Sequence, residues 1–453
     1  MIKNTEWMTY SEYLPVELIQ AEEEGKEVTV YKKQVADILK LPEYAKEREE
    51  KAYQLLAEIE TLPVKEAYVY KEPNELEEIR KLRKIQNVQK FTVPKELLFD
   101  KVYGAWTGRC AGCLLGQPIE GWYRERIRGF LLDTDNYPVK HFLSSDVPQD
   151  IIDRYQVSNN GENAFCDHIT HWINNVTIMT EDDDTNYTAL GLKVLEEYGY
   201  DFTSDDVAWT WITSLPMGHV STSERVAYRN IGNLIEPPRC GWWKNPYREW
   251  IGAQIRADIF GYVSPGDPEL AASLAWKDAR ISHVKNGIYG EMFVAAMLAA
   301  AYGVQEPDKI LEAGIEQIPA TSRLYNALKQ VMEGYRSGMA LGDAIEKLHN
   351  QFDETNSHDW CHTISNAVVV AISLLYGGLD FEKSLGIAME CGFDTDCNGA
   401  TIGSVVGLAV GYKGIPDHWK TPVGDILRTG VSGFHQIRIK ELVDRTIAVI
   451  HNR

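Results

Sequence analysis

The sequence predicts an almost wholly α-helical protein, and three observations carry that expectation. Glycines recur at i, i+4 spacing in two separate apolar stretches, Gly104, Gly108, Gly112, Gly116 and Gly399, Gly403, Gly407, Gly411, which puts each set on one helical face. The apolar runs 292–302 and 367–375 read as buried helices. Segments that alternate apolar and polar residues in the manner of a half-buried strand are scarce.

Taken in order, residues 1–92 are rich in Glu and Lys and show helical signals without a chemical motif. A helix is expected over 15–24, opened at Pro15 and stopped by Gly25. A second falls within 41–62 with Tyr53, Leu56 and Ile59 at helical spacing, and a third follows Pro73 and Asn74 with Leu76, Ile79 and Leu82. The Lys/Glu runs read as solvated faces. This part is expected to be a helical extension, 1–92, packed on a main body, 93–453, and no function is legible in it.

The first glycine stretch, 97–116, opens the body. A glycine inside a helix costs about 1 kcal/mol relative to alanine, so close backbone packing is expected to offset it. Arg109 and the polar flanks argue for a water-soluble core instead of a membrane pair. The two glycine faces are expected to pack antiparallel, bringing Glu120 beside Asp394 and Asp396. Cys110 and Cys113 read as buried thiols, because no second CxxC accompanies them.

Residues 123–163 read as a surface excursion able to cover a cleft. The run Glu181, Asp182, Asp183, Asp184 then opens a helix with Leu190, Val194 and Leu195 at core spacing. Four adjacent acids repel, and a cation is the simplest way to hold them in a low-dielectric cleft. Ser204 reads as an N-cap, and 213–250 as a loop crowded with Trp and Pro. Gly252 followed by Arg256 can present backbone N–H groups and a guanidinium to a phosphate. Further helices are expected from Pro307, Ser322 and Leu341, with His358 and His362 as hydrogen-bonded core residues. Asp394 and Asp396 stand at the start of the second glycine helix. They serve equally as helix-start charges or as hard oxygen ligands for Mg2+, Mn2+ or Ca2+.

The formal net charge of −20 argues against a broad phosphate-gripping surface for nucleic acid. No apolar run approaches the roughly 20 residues that span a bilayer, and the first ten residues hold no secretory h-region. Seven cysteines in a chain of 453 residues suit a reducing cytoplasm, which is the expected location. Oligomeric state is not encoded in any recognisable pattern.

In this order the pieces resemble the ADP-ribosylglycohydrolase superfamily. Four blocks carry the resemblance: GAWTGRCAGCLLGQPIE at 104–120, DDDT at 182–185, DARISHVKNG at 278–287 and GFDTDCNGATIGSVVG at 392–407. Their joint order is more specific than any one of them, and the resemblance spans roughly 97–434. It implies an all-α orthogonal multi-helix bundle with two divalent ions, Mg2+ or Mn2+, on the floor of an ADP-ribose cleft. The implied activity is hydrolysis of the C1″ glycosidic bond of an ADP-ribosylated protein or a small ribosyl substrate, releasing ADP-ribose. By position the resemblance implies metal ligation by Asp183 and Asp184 and by Asp394 and Asp396, with Glu120 as the catalytic glutamate. Gly252 and Arg256 fall near the ligand's phosphates and distal ribose, and His283 at a position lining the cleft. The family's threonine before the first pair is Asp182 here, and its threonine after the last aspartate is Cys397. Asp182 keeps an oxygen donor with one more charge, whereas a neutral Cys397 is a poor ligand for a hard ion. A nucleoside or other small ribosyl hydrolase of the same fold is the alternative. A noncatalytic helical protein is another, against which the retained Glu120 and paired aspartates speak.

Overall fold

In the computed structural model, which describes residues 6–86, 89–160 and 169–453, the helices build an orthogonal all-α bundle. Among the described residues the sheet is confined to a two-stranded antiparallel ribbon, Ile426–Arg428 against Gln436–Arg438. Among the described residues no helix is long and apolar enough to cross a membrane.

The core is organised on the two glycine helices, Lys95–Gly116 and Thr395–Val410, which run antiparallel with Gly104, Gly108 and Gly112 facing Gly407, Gly403 and Gly399. A Cβ added at Gly108 or Gly112 would fall on the carbonyl oxygen of Gly403 or Gly399, so the two backbones are in contact. This is the close approach that offsets the helix penalty of the glycines. The register also places the end of one helix against the start of the other: Thr395 Oγ1 donates to the Gly116 carbonyl at 2.9 Å. Gly411 belongs outside the stripe, since it follows the last turn at φ +76° as the C-cap. Gly112→Ala is expected to wedge the pair apart and lower stability by about 1–3 kcal/mol, read from chemical unfolding. An unchanged midpoint would mean that the contact is not a close one.

Around this pair pack the wholly buried helix Asn286–Ala301 and the helix Thr363–Gly377, buried except at Tyr376, whose apolar runs were legible as such. Other starts are set by tertiary partners. The first helix is Tyr10–Glu23, five residues longer at its N-terminus than the pattern suggests, because the Tyr10 and Ser11 N–H groups donate to Glu49 of the Lys46–Glu60 helix (2.7 and 3.2 Å). Pro15 therefore lies inside it. Thr203, not Ser204, caps Ser204–Ser214, in a reciprocal box with Asp206. The segments expected to be irregular hold short helices, Arg124–Asp133, Gln149–Tyr155 and Thr222–Gly232. Each is two or three turns long, too short for periodicity to stand out among neighbouring turn residues.

The amino-terminal helices are tied to the rest by buried ion pairs. Arg248 pairs with Glu17 (2.6 Å) and Glu24 (2.8 Å), and Arg323 with Glu72 (3.0 Å) and Glu23 (3.2 Å). Glu23 also faces Nε2 of His358 (3.3 Å) and of His362 (3.4 Å). The Trp250 indole donates to His358 Nδ1, and the Ile364 N–H to His362 Nδ1, both at 3.1 Å. Those donors have no lone pair, so each Nδ1 is unprotonated and each Nε2 carries the hydrogen. Glu23 thus faces both Nε2–H groups, and burial pushes His362 down to about 3. The trio is close enough to suggest a metal, but with each Nδ1 accepting from a donor its Nε2 atoms have no lone pair to give.

Candidate active site

Three element ends converge on one cavity of about 680 Å3. At the first, the Lys95–Gly116 helix runs into the turn Gln117–Ile119, followed by Glu120 and by Gly121 at φ +73°. The second is the N-terminus of Asp183–Tyr198, where Asp182 is the N-cap and accepts from the Asp184 N–H at 2.9 Å. The third is the N-terminus of Thr395–Val410, where the Asp394 carboxylate accepts from the Cys397 N–H at 3.1 Å. Helix N-termini favour negative charge, which is why acids are tolerated at both starts. Capping and site formation are thus not alternatives, because the same aspartates do the first and face the cavity.

Glu120, Asp182, Asp183, Asp394 and Asp396 line this cavity together, with Cys397 and Gly252. Glu120 reaches it exposed. Asp184 does not line it. Its carboxylate accepts from buried Arg109 at 2.9 Å, its backbone oxygen accepts from the same guanidinium at 2.8 Å, and Arg109 pairs on its other side with buried Asp258 at 2.9 Å. Asp184 Oδ2 is left without a hydrogen-bond partner.

Two further residues from the sequence reading are placed elsewhere. Arg256, 2% exposed, is spent on Glu224 (2.5 Å), Asp278 (2.5 Å) and Glu291 (3.5 Å), and it is absent from the lining. His283 is buried behind the wall, its Nδ1 paired with Ser282 Oγ at 2.8 Å. The expectation that these two touch a ligand is therefore corrected. What reaches the cavity is Glu224, held there by Arg256, and a Cβ on Gly252 would fall on the Glu224 carboxylate. Glu224 carried no signal in the sequence beyond being one acid in an expected loop. Gln117 was also missed. Its Nε2 donates to Asp182 at 2.9 Å and its Oε1 meets His171 Nδ1 at 2.9 Å, so it orients the Asp182 carboxylate. Its place in the first resembling block, one residue past the glycine stripe, was the available clue.

The fit of this donor set to a divalent ion can be judged from the groups themselves. The ligating atoms of Asp182, Asp183 and Asp184 lie within 4.8 Å of one another, as do those of Cys113, Asp182 and Asp396. Asp396 Oδ1 is buried without a hydrogen bond. Burial and neighbouring carboxylates push Asp183 and Asp396 well up. Burial raises Asp394 to about 6. Burial and the same acids hold the Cys113 and Cys397 thiols well above their ordinary range, hence neutral. An oxygen set with this much repulsion, in which Asp184 Oδ2 and Asp396 Oδ1 are without a partner, suits a hard cation, and the thiols add little to it.

The raised carboxyls hold protons more tightly in the folded chain than in the unfolded one. Their contribution to stability is therefore present at low pH and lost as pH rises through the folded values, about 6 for Asp394. In metal-free protein the thermal midpoint is expected to fall between about pH 5 and pH 8. The gain on adding Mg2+ should grow over the same interval, because ligation needs the deprotonated groups. A midpoint indifferent to both would contradict the charge arrangement.

The sequence model of one family, described as ADP-ribosylglycohydrolase, matches residues 94–453. An uncharacterized protein of Archaeoglobus fulgidus is 24% identical over 328 residues, 71% of this chain and 90% of that protein. A solved structure titled as an ADP-ribosylglycohydrolase-related protein complex superposes with a TM-score of 0.50 at 18% identity, covering 79% of this chain and 99% of that one.

Proposed function

The chain belongs to the ADP-ribosylglycohydrolase family, and from that premise we propose that this site hydrolyses the C1 glycosidic bond of a ribosyl substrate with divalent ions, Mg2+ or Mn2+. ADP-ribosylated protein or small molecules are the substrates the family's description suggests. One observation carries the reading: Glu120, Asp182, Asp183, Asp394 and Asp396 come from three helix ends to one cavity, and no Lys or Arg is among its described lining residues. Such a surplus of negative charge is costly without cations, and oxygen donors select hard ones.

Asp183, Asp394 and Asp396 would hold the ions, with Asp182 as a further oxygen donor and Asp184 through the Oδ2 that nothing else uses. Cys397, a neutral thiol, is the weakest member of the set. When bound, the ions supply Lewis-acid polarisation and a template for the ribose hydroxyls and the water. The chain's own carboxylates do the rest. Glu120 takes a proton as the water oxygen bonds to C1. The bond from C1 to the leaving atom breaks with its electron pair going to that atom, and Glu120 returns the proton to it. Positive charge developing at C1 faces the carboxylates of the floor, which favour it over the neutral ground state. Aromatic walls, among them Trp122, Trp250 and Trp360, limit access of bulk water.

The test is turnover by metal-stripped protein before and after Mg2+ or Mn2+ is restored, on ADP-ribosyl-arginine, an ADP-ribosyl-serine peptide and a panel of nucleosides. Cleavage is expected only with metal, and Asp396→Asn should weaken Mg2+ binding by about tenfold or more in calorimetry. Cleavage unaffected by chelation, or no cleavage of any ribosyl compound by metal-loaded protein, would overturn the proposal.

A further inference from the structure

We propose that a second cavity, at the seam between the amino-terminal helices and the body, binds a small oxyanion, a phosphate or a carboxylate, through Lys26 and Lys244, and so fastens the two together. This cavity holds about 200 Å3, several times the roughly 30 Å3 that one water occupies in the liquid. Lys26 and Glu60 line it from the amino-terminal side, and Trp242, Lys244 and Arg248 from the body. The same stretches of chain wall both cavities. Trp7, Glu12, Val16 and Trp250 line the substrate cavity, whereas Glu17, Lys244 and Arg248 line this one.

The charges in the lining do not cancel. In a chain whose net charge is −20, four cationic side chains here meet three carboxylates. Two of those carboxylates are taken: Glu17 pairs with Arg248 at 2.6 Å, and Glu24 with Arg248 at 2.8 Å and Lys285 at 3.3 Å. Lys26 and Lys244 are left against Glu60. They are 9% and 5% exposed. Lys26 Nζ donates to the carbonyls of Ile59 (3.2 Å) and Glu60 (3.0 Å). Lys244 Nζ donates to the Tyr53 carbonyl at 3.1 Å and stands 4.2 Å from the Tyr53 ring centroid. An ammonium carries three N–H groups, so Lys26 keeps one to give and Lys244 two. Among the described residues no carboxylate pairs with either. Burial pushes both ammoniums down, as it does to a buried cation without a counterion. An oxyanion supplies that counterion and accepts the free N–H groups as charge-assisted hydrogen bonds.

Glu60 is the one lining acid left to oppose an anion. Burial raises its carboxyl, and its Oε1 is buried without a hydrogen-bond partner. The other charges that act on it are Lys244, Glu17, Arg248 and Lys26, three cations against one acid. An anion beside it raises it further, and a Glu60 that has taken up a proton donates to the oxyanion instead of repelling it. Binding is therefore strongest at low pH and weakens as pH rises, when Glu60 gives up its proton and the depressed lysines give up theirs.

The experiment is calorimetric titration and thermal unfolding of the full chain with phosphate, sulfate and malonate, against chloride at matched ionic strength. Binding is expected, with a midpoint that climbs with anion concentration. Lys26→Met and Lys244→Met should each weaken it by about tenfold or more, every variant being read against its own midpoint in chloride. Sulfate, which does not titrate near neutrality, should bind more weakly at about pH 8 than at about pH 6, and Glu60→Gln should recover much of that loss. The bound anion should also slow amide exchange in Lys46–Glu60. Tighter binding of phosphate and sulfate supports a phosphoryl ligand, and tighter binding of malonate supports a carboxylate. No binding by the parent protein overturns the inference. So does binding that survives both lysine substitutions, which puts the ion elsewhere, or binding that Glu60→Gln abolishes. Anion binding with unchanged exchange in Lys46–Glu60 overturns the fastening.

Discussion

Glu120→Gln is expected to lower kcat by about 10²- to 10⁴-fold, the range over which a positioned acid–base group acts, with Mg2+ affinity held within a few-fold. Glutamine keeps the shape and removes both the charge and the proton. The position supports a mobile base better than a ligand. Glu120 follows the short turn Gln117–Ile119 and precedes Gly121 at φ +73°, while both aspartate sets are fixed at helix starts. Stopped-flow turnover with saturating Mg2+, alongside calorimetric Mg2+ titration, separates the roles. Near-normal turnover would remove Glu120 from the mechanism. A loss confined to KM would make it a substrate-binding group, and a collapse of Mg2+ affinity would make it a ligand.

Arg109→Met is expected to cost about 3–5 kcal/mol of stability, measured by chemical unfolding, because it strands two buried carboxylates. Arg109, Asp184 and Asp258 are all fully buried, and the one guanidinium bridges the other two. It also donates to the Ile255 carbonyl at 2.5 Å, so removing it orphans backbone as well. Arg109→Lys should recover only part of the loss, since an ammonium cannot present the fork that spans both acids. A methionine variant as stable as the parent would mean that Asp184 and Asp258 protonate or find other partners at little cost. The same bridge holds the Asp184 carboxylate behind the lining that its neighbours Asp182 and Asp183 form, with Oδ2 left unpaired.

Much of the fold and part of the site were legible because they follow from local spacing. The i, i+4 glycines fix a helical face, and two such faces have one way to bring backbones into contact along their length. The pairs Gly104/Gly407, Gly108/Gly403 and Gly112/Gly399 are that solution. It carries Glu120 and Asp394 to the same place without further information. The acids at 182–184, 394 and 396 were legible for a related reason. Each stands at a helix start, where the residue type and the apolar periodicity after it are read in one window.

What the chain alone determined, then, is the helical body, the antiparallel glycine core and the acids at its helix starts, since each depends on residues within a turn or two of one another. What only the tertiary structure decided is which groups are free to act. Arg256 and His283 looked available and are enclosed, whereas Glu224, Gln117, Trp7 and Glu12 reach the cavity from elements whose packing no local pattern encodes. Arg109 meets Asp184 across 75 positions and Arg248 meets Glu17 across 231. Whether a guanidinium at such a distance is spent on a buried carboxylate or left for a ligand is set by the desolvation of both partners, which exists only once the chain has folded.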